Sequence, residues 1–269
     1  MEFGIDVNRP LNIIRATDSS ERKMLENKLL QTKLSYQRVE VLENVNGEIC
    51  EGKDFFATED GSRVTIPSFT EDERRASYYL RMALDANAVK NGCLPLHAAA
   101  LANNGLTQFI FAKTGKGKSF TLNTLLSYNS EITPIGDDHV IIGGNSISGN
   151  GIMRTRDRDG KDKDYSVLHG GRVFPLGCYE VVLMDVTART EDYKTGGADL
   201  IEKDVAEKAV LKYLSRKPHE PELEKMYDNI VPREVLAKYH ARFNEFMNGA
   251  ERVLKLSGGQ DSILEKLAK

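Results

Sequence analysis

The segment Ala112–Ser119 reads A-K-T-G-K-G-K-S and contains the residue types that bind a nucleotide phosphate chain. Its glycines allow consecutive backbone N–H groups to turn toward phosphate oxygens. Lys118 can reach the β- and γ-phosphates, and the Ser119 hydroxyl can bind Mg²⁺. The sequence therefore predicts a nucleotide site, and we expect it on Lys113, Thr114, Gly115, Lys116, Gly117, Lys118, Ser119 and Phe120.

The segment departs from the strict phosphate-loop pattern G-x-x-x-x-G-K-[ST] at its first position, which is Ala112. Alanine is the smallest side chain after glycine, and this one stands at the end of a predicted strand. The alternative interpretation is a lysine-rich surface turn. The strand predicted before the segment and the helix predicted after it favour the phosphate loop, since the helix dipole would face the anion.

Two adjacent carboxylates, Asp137 and Asp138, follow the next apolar segment along the chain. Phosphoryl transfer needs one carboxylate for Mg²⁺ and often a second that orients the attacking hydroxyl or takes its proton. His97 precedes the strand that leads to the loop and could orient a carboxylate. Alone, the pair would be an ordinary Gly-Asp-Asp turn and the histidine a buried core residue. Their order around the loop favours the functional interpretation.

These residues require elements that position them, and the patterns predict a strand at Leu106–Ala112, a helix at Ser119–Leu126 and a further strand before Gly136. Strand, loop, helix and strand in that order are typical of an α/β nucleotide-binding core. Residues 1–90 are predicted as a β-rich lobe that ends in the helix Thr70–Val89, and residues 91–269 as the catalytic domain.

The second half of the chain is predicted as a strand at Val181–Val186 followed by helices, with a polar tail and a short helix, Ser262–Lys269, at its end. Helices are expected at Asp199–Ser215 and over the apolar repeat from Val235 to Met247. The segment Gly149–Asp164 is predicted as a polar loop. Arginines in and after it could bind the transferring phosphoryl group, or simply be solvated; they are Arg154, Arg156, Arg158 and Arg172.

Composition limits the class of protein. The chain has 269 residues, a formal net charge of −3 and 40% hydrophobic residues, which excludes a disordered or low-complexity chain. The near-neutral charge argues against a general nucleic-acid binder, and no apolar run is long enough for a membrane span. Three widely spaced cysteines and no export signal favour the cytoplasm, without a disulfide framework or a zinc site.

The ordered set of Leu96-His97-Ala98-Ala99-Ala100, the loop Ala112–Ser119 and Gly136-Asp137-Asp138 resembles the HPr kinase/phosphorylase family. That family shares its nucleotide core with ATP-dependent phosphoenolpyruvate carboxykinase. The resemblance covers about Leu94 to Ile142, and the family's later glycine-rich signature has no clear match in this chain. It implies an α/β fold with a P-loop core of this type, between a β-rich N-terminal section and C-terminal helices.

The resemblance further implies an ATP- and Mg²⁺-dependent kinase that phosphorylates a hydroxyl of a protein, a peptide or a small molecule. By position, Lys118 would hold the β- and γ-phosphates, and Ser119 and Asp138 would bind the metal. Asp137 would be the catalytic base, assisted by His97. Family members often assemble, so a homo-oligomer is allowed. The alternatives are a nucleotide-binding regulator without chemistry and, ranked last, a carboxykinase-like reaction on a small acid.

Overall fold

The structure is a computed structural model. It describes residues 2–6, 10–15, 37–39, 48–52, 56–59, 61–67, 73–112, 117–150, 152–156, 162–167, 173–186, 214, 221–258, 264 and 267. In these ranges the chain is a mixed α/β protein with four helices and several sheets. Within the same ranges, no helix has both the length and the apolar character needed to cross a bilayer.

The helices are α1 (Glu73–Lys90), α2 (Lys118–Tyr128), α3 (Pro221–Ile230) and α4 (Arg233–Gly249). The first nine strands are β1 (Glu2–Asp6), β2 (Pro10–Arg15), β3 (Gln37–Val39), β4 (Glu48–Gly52), β5 (Phe56–Ala57), β6 (Arg63–Pro67), β7 (Leu94–Leu96), β8 (Ala99–Asn103) and β9 (Leu106–Phe111). The others are β10 (Thr133–Gly136), β11 (Val140–Gly143), β12 (Ser146–Gly149), β13 (Ile152–Arg156), β14 (Asp162–Val167), β15 (Val173–Pro175), β16 (Tyr179–Val186) and β17 (Arg252–Gly258).

The chain divides into two compact units. The first comprises Met1–Pro95, Ile141–Gly144 and Lys212–Arg242. Its sheet has the strand order β3-β1-β2-β4-β6-β5, and α1 contacts β2 and β6. The helix is buried from Tyr79 to Val89, as expected for an apolar helix that covers a sheet. It ends in a glycine turn: Gly92 has φ +77°, and the Cys93 amide donates to Ala88 O at 2.9 Å, which satisfies a terminal carbonyl.

The second unit comprises Leu96–Val140, Asn145–Leu211 and Phe243–Lys269. Its main sheet has the order β10-β8-β9-β16-β17, in which β8 is antiparallel to β9 and to β10. Strands β9, β16 and β17 are parallel to one another. Because β8 runs against its two neighbours, the chain enters β8 at the same edge of the sheet where it leaves β9 and β10.

The two faces of this sheet have different cores. On one face, buried aliphatic side chains of the sheet pack with α2, among them Ile110, Val182 and Leu122. On the other, Phe109 packs edge to face on Phe246 at 5.0 Å between ring centroids, and Tyr179 stacks on Phe246 at the same separation. Side chains alternate between faces along each strand, so one strand such as β9 supplies both cores.

Several sequence predictions are confirmed. The strand at Leu106–Ala112 is β9, the helix at Ser119–Leu126 lies in α2, and the repeat from Val235 to Met247 lies in α4. The strand at Val181–Val186 is the greater part of β16. The predicted helices Asp199–Ser215 and Ser262–Lys269 lie outside the described residues, apart from Leu214, Leu264 and Leu267.

Two predictions are wrong. The segment Gly149–Asp164, expected as a polar loop, contains β13 and the start of β14, which pair antiparallel with Met153 opposite Ser166. Charged residues obscured its strand pattern, although Asp159-Gly160 between the strands is a hairpin-turn dipeptide. The predicted polar tail contains β17, which pairs parallel to β16. A parallel partner distant in sequence leaves no local signal, so this strand was missed.

Candidate functional site

The residues predicted to carry chemistry meet at one edge of the main sheet of the second unit. His97 precedes β8, Lys118 begins α2 directly after the loop that follows β9, and Asp137 and Asp138 follow β10. Because β8 is antiparallel to β9 and β10, all these positions fall at the same end of the strands. We call these four residues the front edge.

Lys118 is buried, with 7% of its surface exposed, although lysine is usually solvated. Its Nζ donates a hydrogen bond to the carbonyl oxygen of Ala112 at 3.2 Å, which brings the ammonium back to the end of β9. Asp138 Oδ1 lies 3.8 Å from the same nitrogen. A buried ammonium needs such oxygen partners, because burial of an isolated charge is costly.

The start of α2 presents backbone N–H groups without a side-chain acceptor. Its N-cap is Gly117, whose left-handed conformation (φ 87°, ψ 12°) glycine adopts without steric cost. No side chain caps the helix, and its first turn contains no acidic residue. The N-terminal end of a helix, with its positive dipole, favours a bound anion at this position.

His97 is 6% exposed and contacts Asp138 twice. Its Nδ1 lies 2.9 Å from the Asp138 carbonyl oxygen and 3.5 Å from Asp138 Oδ1. A carbonyl oxygen only accepts hydrogen bonds, so Nδ1 carries the proton and donates a hydrogen bond to this oxygen. In the neutral ring, Nε2 is then the unprotonated nitrogen. The sequence predicted that His97 assists Asp137, whereas these contacts place it against Asp138.

The two aspartates differ in access to solvent. Asp137 is completely buried, while the side chain of Asp138 is 23% exposed. A carboxylate that takes a proton or binds Mg²⁺ must touch the incoming group. Of the pair, Asp138 is therefore the carboxylate that an added ligand can reach in this conformation.

The other predicted residues are only partly described. Ser119 is half-buried in the first turn of α2, and Phe120, the next residue, is 55% exposed. Lys113, Thr114, Gly115 and Lys116 lie outside the described residues, as do Arg158 and Arg172. Across the described part of the chain, no group of three or more His, Cys, Asp or Glu residues could enclose a metal. Mg²⁺ is usually held by one or two carboxylates together with substrate phosphates, so it does not require such a group.

One residue that the sequence analysis missed, Asn150, supports the aspartate pair. Its side-chain oxygen accepts a hydrogen bond from the backbone N–H groups of Asp137 and Asp138, at 2.9 and 3.2 Å. Asn150 follows Gly149, the last residue of β12, and an asparagine after a glycine is common in loops, so no local signal distinguishes it. Only the tertiary contact reveals its role.

A second polar cluster lies at the opposite end of the same strands. Gln108, Glu180 and Arg252 occupy matched positions on β9, β16 and β17, and we call them the rear edge. Glu180 is 1% exposed; Arg252 donates to its Oε1, and Gln108 Nε2 donates to its Oε2 at 3.4 Å. The buried carboxylate is thus neutralised by a direct partner on the neighbouring strand.

Cys178 lies beside the rear edge and is exposed. The Glu251 carboxylate accepts a hydrogen bond from its thiol, and together with its negative charge this raises the pKa of Cys178 above the ordinary value. A raised pKa leaves less reactive thiolate, so this exposed cysteine is less nucleophilic than an unperturbed one.

No model of a known protein family matches the sequence, and no curated protein matches it either.

Proposed function

We propose that the chain is an ATP- and Mg²⁺-dependent kinase that transfers the γ-phosphate to a hydroxyl acceptor, with a P-loop core of the HPr kinase type. The observation that carries the proposal is the 3.8 Å approach of Lys118 Nζ to Asp138 Oδ1 beside the uncapped start of α2. A cation, a carboxylate and the N-terminal end of a helix at one point are parts that phosphoryl transfer uses.

The residues fit the expected ligand. The start of α2 and the Lys118 ammonium suit phosphate oxygens, and the Ser119 hydroxyl and the Asp138 carboxylate are the hard oxygen donors that Mg²⁺ prefers. When bound, Mg²⁺-ATP supplies the phosphoryl group and partial neutralisation of its charge. Phe120, exposed beside this position, offers an apolar surface to the nucleotide or to the acceptor.

The geometry favours a specific division of roles. Lys118 stabilises negative charge that develops on the phosphate oxygens, and Asp138 binds the metal from the side that solvent reaches. His97 donates from Nδ1 to Asp138 and so orients that residue. By resemblance Asp137 is the base; because it is fully buried here, the acceptor hydroxyl must displace part of its cover to reach it, or Asp138 takes the proton itself.

The experiment that tests the proposal measures transfer from γ-labelled ATP in Mg²⁺ to a panel of small alcohols, peptides and extracted proteins. Asp137→Asn and Asp138→Asn are compared with the wild-type chain, because each removes a charge and keeps the shape. Glu131→Gln is the matched control, since Glu131 is exposed and lies outside the front edge. We expect Asp138→Asn to abolish transfer and Glu131→Gln to leave it unchanged.

A second candidate, a nucleotide-binding regulator without transfer, is favoured by one observation, the complete burial of Asp137. A base without access to the acceptor would leave a site that binds ATP and does nothing to it. Tight ATP binding with no labelled product in any acceptor would replace the kinase by this candidate. If Lys118→Ala and Asp138→Asn both retain ATP binding and transfer, the front edge is not the site of either candidate function.

A further inference from the structure

The turn that contains the two aspartates is held by a single side-chain oxygen. Asn150 Oδ1 accepts from the backbone N–H groups of three consecutive residues: Asp137 at 2.9 Å, Asp138 at 3.2 Å and His139 at 3.3 Å. The backbone N–H of Asn150 in turn donates a hydrogen bond to the His139 carbonyl oxygen at 3.0 Å. Asn150 has no exposed surface, so these bonds are shielded from competing water.

Consecutive N–H groups that converge on one point form a concavity that commonly binds an anion. Here the concavity lies next to two carboxylates, and an anion inside it would repel them. The amide oxygen of Asn150 satisfies the donors with a dipole and no net charge. The residue type therefore matches the requirement of this position: an acceptor that leaves the charge of the aspartates available to a ligand.

Two glycines bring Asn150 to the turn. A Cβ on Gly136 would lie 2.9 Å from the Gly149 Cα, closer than real Cβ atoms approach, and 3.0 Å from Asn150 Oδ1, which is a tight contact. A Cβ on Gly149 would collide with the Ile135 carbonyl. The end of β12 consequently lies directly against the end of β10, and no side chain larger than hydrogen fits between them.

From these contacts we infer that Asn150 is a positioning residue that holds Asp137 and Asp138 in register with Lys118. The inference rests on the proposed function, in which the Asp138 carboxylate and Lys118 act together. The same Asp138 backbone that donates to Asn150 accepts from His97, so one side chain fixes the residue that both His97 and Lys118 contact.

The test compares Asn150→Ala with Asn145→Ala, a matched control because Asn145 is exposed in the turn before β12. Amide hydrogen exchange is followed at residues 137–139, and kcat and the KM for ATP are measured in the transfer assay. We expect Asn150→Ala to accelerate exchange at these amides by about fivefold or more, because each of the three N–H groups loses its acceptor. We expect kcat to fall by about 10²-fold, the effect of a catalytic group displaced by about 1 Å, and the KM for ATP to rise, because a displaced Asp138 would bind the metal of Mg²⁺-ATP less well.

A purely structural role would accelerate exchange and leave kcat unchanged, and that result overturns the inference. Unchanged exchange at residues 137–139 also overturns it. If the wild-type chain transfers no phosphate, the proposed function fails separately. The inference is then judged by titration with Mn²⁺-ATP, for which Asn150→Ala must bind more weakly than Asn145→Ala. If the alanine chain does not fold, Asn150→Ser is used, whose shorter hydroxyl gives an intermediate loss of kcat.

Discussion

The front and rear edges of the same sheet both contain a buried charge, and they satisfy it differently. At the rear edge, Arg252 contacts Glu180 directly from the neighbouring strand. At the front edge, Lys118 Nζ remains 3.8 Å from Asp138 Oδ1 and takes part of its stabilisation from a backbone carbonyl. In the rear pair the Glu180 carboxylate is compensated by direct contact with Arg252. In the front pair the charges of Lys118 and Asp138 are less closely matched, so they can still attract a further charged group.

We therefore expect the Glu180–Arg252 pair to stabilise the fold and the Lys118–Asp138 pair to interact with a ligand. A direct ion pair with a buried carboxylate, such as Glu180, resists the removal of the cation, since the buried charge is left without a partner. A looser pair at the start of a helix loses less when one member is removed and gains more when an anion arrives. The comparison therefore predicts opposite effects on stability and on activity at the two edges.

The largest effect is expected for Lys118→Met. The substitution keeps the apolar stem of the side chain and removes the ammonium, so the charge that we propose stabilises the transferring phosphate is lost. We expect phosphate transfer to fall by about 10²–10³-fold, in the range measured for loss of one donor to a developing negative charge. Thermal unfolding should show no loss of stability. A variant that unfolds but retains activity per folded molecule would reverse the assignment of this edge.

Gly149→Ala is expected to have the largest effect on stability. A Cβ at this position meets the backbone of Ile135, which cannot move aside as a flexible side chain would. We expect a loss of about 3 kcal/mol in the free energy of unfolding, measured with urea. Gly177→Ala is the matched control, because its Cβ would meet only the Gly105 carbonyl at an ordinary 3.6 Å. Equal stability of the two variants would show that the turn is not tightly packed.

Arg252→Met tests the rear edge in the same way as Lys118→Met tests the front. Removal of the guanidinium leaves Glu180 buried without its charged partner, and we expect a loss of about 2 kcal/mol in the free energy of unfolding. Transfer activity of the folded protein should remain that of the wild type. If Arg252→Met lost transfer activity but kept the stability of the wild type, the rear edge would instead take part in the reaction.

The smallest effect is expected at Cys178 and Glu251, which lie beside the rear edge. The Glu251 carboxylate raises the pKa of the Cys178 thiol, so Glu251→Gln should lower that pKa toward the ordinary value. A lower pKa gives more thiolate at pH 8, and alkylation of Cys178 by iodoacetamide should accelerate by less than about tenfold. Peptide mass spectrometry separates this thiol from buried Cys93, which serves as the internal control. A slower reaction would contradict the assigned contact.

Local patterns predicted those parts of the fold that depend on near neighbours in sequence. Apolar runs located β9 and α2, and helical spacing located α4. The strand β17 was missed because its partner β16 is distant in sequence, and the strands β13 and β14 were hidden by charged residues.

The same limit applies to the candidate site. Residue types and their order singled out Lys118 and Asp138 as candidate site residues, because the residue type alone fixes the charge that each side chain can offer. The burial of Asp137, the contact of His97 with Asp138 and the role of Asn150 depend on how strands pack. No spacing along the chain carries that information.

The strand order also has a consequence for the way the protein is made. The contact of His97 with Asp138 closes 41 residues of chain, and that of Asp137 with Asn150 closes 13, whereas Gln108 and Glu180 are 72 apart. Shorter closures cost less entropy and form sooner. Every residue of the front edge, together with Asn150, is synthesised before Glu180. The contacts of the front edge can therefore form first, and those of the rear edge can form afterwards.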